Sequence, residues 1–164
     1  MRRLAFGVAV LVVVMAAASF AQQPVGTKGS ASAAAAVFTP ADVSWSAAPD
    51  SLPAGAQIAV LDGDPGAAGP FTIRLKLPDG YKVGPHWHPT DENVTVIDGT
   101  FMVGMGDQFS ESSLKALGAG SFGKMPQHMN HYAVTKGPTT IQIESTGPFA
   151  ITYVNPSDDP RTKK

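Results

Sequence analysis

Gly80-Tyr81-Lys82-Val83-Gly84-Pro85-His86-Trp87-His88-Pro89-Thr90-Asp91-Glu92-Asn93-Val94-Thr95-Val96-Ile97-Asp98-Gly99 is the stretch on which the reading of this chain turns. It holds two of the four histidines, one residue apart, followed by two carboxylates. Strand side chains alternate with period two, so His86 and His88 share one face and Trp87 takes the other. The remaining two histidines sit in a second cluster, His128-Met129-Asn130-His131, and the chain has no cysteine. Imidazole and carboxylate suit borderline transition metals, and every strong nitrogen ligand lies in these two places. One cluster supplies a pair of ligands. Asp91 or Glu92 supplies a third, and His128 or His131 on a later strand a fourth. If Glu92 opens the next strand pointing inward, Val94 and Val96 follow it inward while Asn93 and Thr95 face away. Three imidazoles and one carboxylate leave one or two positions open for water, dioxygen or a bidentate substrate. Open positions suit catalysis, since purely structural sites are normally closed.

Outward from this stretch the chain reads as short strands between Gly/Pro/Asp turns. Phe71, Ile73, Leu75 and Leu77 alternate with Thr72, Arg74 and Lys76, a clean core-and-water pattern. Further strands are expected over 57–61, 81–88, 93–98, 100–105, 121–125, 131–135, 139–145 and 149–154. Asp98-Gly99 is a hairpin signal. Only 111–117 looks helical, for about two turns. Many short strands with regular turns argue for an all-β sandwich or barrel. Gly69-Pro70-Phe71-Thr72-Ile73 resembles Gly147-Pro148-Phe149-Ala150-Ile151, and a shared entry turn accounts for that. Trp87, Phe101, Met102, Met105, Met125 and Tyr132 are candidates for core packing, about half of them inside by alternation. Tyr81 and Tyr132 could offer hydroxyls to a ligand.

The spacing resembles the cupin superfamily. Its first motif is a Gly, five residues, His-x-His, three or four residues, Glu, six residues, Gly. Here Gly80, His86, His88, Glu92 and Gly99 fall on every fixed position. In the second motif Gly120, Pro126 and His131 fall in place, whereas His128 stands for a glycine and Thr135 for an asparagine. The resemblance covers residues 37–154. It implies a single-domain cupin β-barrel (an antiparallel jelly roll, or double-stranded β-helix). It further implies one divalent transition metal ion on His86, His88, Glu92 and His131, with a small-molecule ligand or substrate inside the barrel. Asp91 becomes a turn or rim residue. His128 becomes the one catalytic candidate beyond the ligands, as a proton shuttle at the rim, or else a solvated turn residue. Dioxygenase chemistry is the commonest implication, with decarboxylation and isomerisation close behind. The alternatives are a non-catalytic binding module and a barrel whose metal only stabilises it. Cupin-like domains often form homodimers through edge strands.

The beginning of the chain has a different character. Met1-Arg2-Arg3, an apolar run from Leu4 to Ala18 and Ser19-Phe20-Ala21 make the three-part pattern of a secretory signal peptide, residues 1–21. The run is shorter than the roughly 20 residues that span a bilayer, so no stable membrane anchor is expected. Arg2-Arg3 reads as an ordinary basic start rather than a twin-arginine signal. Residues 22–36 read as a flexible linker, 37–156 as the barrel domain, and 157–164 as a charged tail that frays. The expected destination is periplasmic or secreted. Losing Arg2 and Arg3 takes the formal charge from −1 to −3, which does not suggest nucleic acid. Metal loading after export favours zinc, copper or nickel; loading before export would allow iron or manganese.

Overall fold

The computed structural model describes residues 35–163. The expected signal peptide lies outside the described residues, as does most of the expected linker. Eleven strands are found among the described residues. They are β1 (Ser46–Ala47), β2 (Gln57–Asp62), β3 (Gly69–Leu77), β4 (Lys82–Trp87), β5 (Glu92–Asp98), β6 (Thr100–Met105), β7 (Lys115–Gly118), β8 (Phe122–Met125), β9 (His131–Thr135), β10 (Thr139–Gly147) and β11 (Thr152–Tyr153). They form two antiparallel sheets, ordered β1-β2-β3-β10-β5-β8 and β11-β4-β9-β6-β7. Neighbours far apart in sequence, such as β3 and β10, give the jelly-roll crossing that the motif spacing implies.

Alternation decides what lies between the sheets. Phe71, Ile73, Leu75 and Leu77 of β3 are buried, as are Ile141 and Ile143 of β10 and Val94 and Val96 of β5. Val83, Phe101, Val103 and Ala133 cover them from the other sheet. Burying each large side chain contributes about 1.5–3 kcal/mol, so a chain without disulfides is held by this layer. Of the six candidates for packing, Phe101, Met125 and Tyr132 are buried, while Met105 is exposed. Tyr132 packs against Phe109 and donates its hydroxyl to the Ser110 carbonyl. The two similar Gly-Pro-Phe phrases meet in space: Gly69 and Gly147 are register partners and the Phe71 and Phe149 rings pack edge to face at 5.3 Å.

Three local expectations are corrected. The stretch 111–117 is not a two-turn helix but a 3-10 turn at Glu111–Ser113 followed by strand β7. Backbone pairing of β7 with β6 overrides its modest helical propensity. Only Thr152–Tyr153 of 149–154 pairs as a strand, because the Phe149 amide bonds the Pro65 carbonyl instead. The tail does not fray where it was expected to. Pro156–Asp158 and Pro160–Thr162 form 3-10 turns, capped by Asn155 and Asp159 side chains that accept from the Ser157 and Arg161 amides.

Candidate metal centre

The first histidine pair owes its aim to an irregularity in β4. Val83 faces Ala133 and His86 faces His131, so β4 spends one residue more than β9 over the same span. That β-bulge falls at Gly84-Pro85, where Pro lacks the amide a regular ladder needs. It resets the alternation, and Val83, His86 and His88 all end up buried on the inner side. The sequence shows the Gly-Pro pair, which is the available signal for the bulge.

His86, His88 and His131 converge. One ring nitrogen from each lies within 4.8 Å of the others. The His86 and His131 ring centroids are 4.2 Å apart. Glu92, opening β5 as expected, puts Oε2 3.2 Å from His131 Nε2 and 3.7 Å from His88 Nε2. All four residues are buried. The fold brings these four side chains together.

Their outer nitrogens settle the tautomers. His86 Nδ1 lies 2.7 Å from the Gly84 carbonyl, His88 Nδ1 2.8 Å from that of Ala150, and His131 Nδ1 2.8 Å from that of Met129. A carbonyl only accepts, so each Nδ1 carries its proton and donates it. Each Nε2 is left on the side of the ring that faces the cluster. His88 Nε2 and His131 Nε2 are buried with no hydrogen-bond partner among the described residues. Three inward ring nitrogens beside a carboxylate are a donor set that fits a divalent transition metal. Protonation leans the same way. Burial and the neighbouring rings hold His86 down at about 3, and burial lowers His88. Burial alone would raise Glu92, but His131 and the other imidazoles outweigh it and hold the carboxyl below its ordinary value. The neutral rings of His86 and His88 and the ionised Glu92 are forms that ligate.

The other acidic and basic candidates lie elsewhere. Asp91 is turned away: it accepts from the Gln127 amide at 2.9 Å and pairs with Lys124 at 2.7 Å. It clips the turn after β8 to the turn after β4. His128 is exposed, does not line the cavity, and rests on Trp87 with ring centroids 4.8 Å apart. A proton shuttle at the cavity rim is not its place. Its φ is +61°, a left-handed conformation, at the position where the resembling motif keeps a glycine. Thr135, standing for the motif's asparagine, is buried and accepts from the Tyr81 amide while donating to the Pro78 carbonyl.

Next to the imidazoles lies a cavity of about 320 Å³. Its walls are mostly apolar, including Ile73, Leu75, Phe101, Ile141 and Phe149. Phe149 stacks on His88 at 4.3 Å. Tyr81 lines the cavity, but its hydroxyl already donates to the Pro53 carbonyl. Arg161, from the tail, also lines it. Composition had marked that tail as frayed, so this arginine was missed. The Asn155-Pro156 and Asp159-Pro160 pairs were the signal that the tail turns.

Residues 33–150 match the family model described as the ChrR cupin-like domain. The chain belongs to this cupin family. No curated protein matches this cupin in sequence. Solved structures show the fold. The polyketide cyclase RemF from Streptomyces resistomycificus is 18% identical with a TM-score of 0.59, the alignment covering 78% of this chain and 92% of that one. A provisionally assigned acetylacetone dioxygenase from Methylibium petroleiphilum PM1 is 18% identical with a TM-score of 0.57, over 76% and 84%. KdgF from a Halomonas species is 21% identical with a TM-score of 0.53, over 70% and 96%.

Proposed function

We propose that this cupin binds one divalent transition metal ion through His86, His88, Glu92 and His131 and acts as an enzyme on a small organic molecule held in the adjoining cavity. The observation that carries this is the set of three imidazoles whose Nδ1 protons are all taken by backbone carbonyls, leaving the Nε2 atoms turned inward. The bound ion supplies Lewis acidity and an open position for an oxygen donor. Glu92 contributes the one negative charge of the donor set. A divalent ion there keeps a net positive charge, which favours an anionic oxygen such as an enolate or carboxylate. The apolar walls exclude water and so strengthen every charge interaction inside. Two of the structurally similar proteins are named for a cyclase and a dioxygenase, which suits chemistry on a carbonyl compound.

The first test is elemental analysis after dialysis against zinc, copper, nickel, iron and manganese in turn, followed by oxygen uptake and product analysis with 2,4-pentanedione and its phenyl analogue. One ion per chain and metal-dependent turnover are expected. Fewer than one in ten chains carrying any ion would refute the reading. A second reading, a non-catalytic module for a small ligand or the metal, is favoured by one observation. Apart from the proposed ligands, the ionisable groups lining the cavity are Tyr81, whose proton is engaged, and Arg161. Metal binding without turnover of any carbonyl substrate would select it.

We also place the mature protein in the periplasm or outside the cell, from the leader pattern at residues 1–21. Among the described residues no helix is long and apolar enough to cross a membrane. N-terminal sequencing should find Gln22 first; a retained Met1 would contradict export with cleavage. A homodimer through a sheet edge is compatible with β8, a free edge whose Phe122 is 61% exposed.

A further inference from the structure

We propose that Arg161 selects the ligand of this cavity, and that the ligand is a small organic acid: anionic end at Arg161, apolar body along the walls, oxygen donor at the imidazoles. The inference rests on the metal reading above and adds a substrate class to it. Among the residues lining the cavity, Arg161 is the permanent cation. Its side chain is about half exposed, so it stands where the cavity meets water. Asp159 holds one edge of the guanidinium, taking Nε at 2.8 Å and Nη2 at 2.7 Å. These contacts of the guanidinium, with that to the Ile151 carbonyl, run through Nε and Nη2. The head group is thus oriented, and Nη1 is the nitrogen left to offer a charge-assisted hydrogen bond to a carboxylate.

The placement is built into the fold at both ends. Arg161 Nη2 reaches the Ile151 carbonyl at 3.4 Å, and the preceding carbonyl, Ala150, fixes His88. Asp158 packs on Gly84 so closely that a Cβ there would come within 3.0 Å of its side chain, and the Gly84 carbonyl fixes His86. The tail therefore leans on the same backbone that aims two of the imidazoles. A cation and a metal site referenced to one backbone make a two-point ruler for a molecule with an oxygen function at each end.

The probes are the monohydroxamates of succinic, adipic and suberic acid and the methyl ester of each. The hydroxamate head binds the metal, and the far end differs in charge and by one methyl group. Calorimetric titration of the full-length, metal-loaded protein is expected to show one acid binding about tenfold more tightly than its ester, the low end of a charge-assisted hydrogen bond at a half-exposed site. Arg161→Gln should abolish that preference, with one bound metal ion per chain reporting an intact centre. Arg161→Lys should restore part of it. No preference in the natural protein, or a preference that survives Arg161→Gln, overturns the assignment while the metal reading stands. Esters that bind His86→Ala/His131→Ala protein as tightly as the natural chain would overturn both.

Discussion

Metal addition should raise the melting temperature of this domain by an amount set by the imidazole cluster. A free ion at a thousand times its dissociation constant stabilises the folded state by about 4.1 kcal/mol. A domain of about 130 residues unfolds with an entropy near 0.27 kcal/mol per kelvin. The expected shift is therefore about 15 °C. His131 contributes one of four proposed donors. A quarter of a structural-zinc binding energy is about 3 kcal/mol, or roughly 150-fold in affinity. At the same free ion, His131→Ala then keeps about 1.2 kcal/mol of stabilisation, a shift near 4 °C. His128→Ala should keep the full shift, because its ring lies against Trp87 outside the cavity. Scanning calorimetry in metal-buffered solution, paired with equilibrium dialysis, measures both quantities. Equal loss in His128→Ala and His131→Ala would refute the ligand assignment.

Acidification of the metal-free protein should destabilise it between about pH 6.5 and 3. In that window the unfolded chain takes up protons at His86 that the folded chain refuses, and the lowered Glu92 carboxyl works in the same direction at the acid end. Urea titrations at intervals of pH check this, and stability flat across the window would count against it. His128→Val should cost about 1–2 kcal/mol, because a β-branched residue is disfavoured at a φ of +61°, while the metal-induced shift persists. An unchanged urea midpoint would show that the turn relaxes. Gly104→Ala should destabilise by about 1–3 kcal/mol, since the new methyl would press into the ring of Tyr132, which has no exposed surface. Denaturation of the metal-free form tests this, and no loss would mean that the ring can move.

The sequence made the candidate site legible because its expected ligands alternate on strands. His86 and His88 share a face, and the buried-outward rhythm of Glu92, Asn93, Val94, Thr95 and Val96 is visible in the residue types themselves. What sequence could not show is non-local. The Ala150 carbonyl that orients His88 is 62 residues away, and a carbonyl leaves no mark on residue identity. The stretch 111–117 misled because its residues have no strong local preference and the neighbour β6 decides their conformation. His128 was flagged correctly as the odd residue of its motif. Its chemistry suggested a role in the cavity, whereas its backbone angle shows a side chain on a turn that a glycine would fill with less strain.

Anchoring all three imidazoles on main-chain carbonyls limits how this centre can evolve. Where a carboxylate side chain supports a ligating histidine, one substitution retunes the donor strength of the ring. Gly84, Ala150 and Met129 support theirs with atoms that every residue possesses. Point substitutions at Ala150 and Met129 leave the supporting oxygen in place, whereas any side chain at Gly84 would press on Asp158. In the proposed centre, a change of metal preference then comes from exchanging a ligand itself or from reshaping a loop.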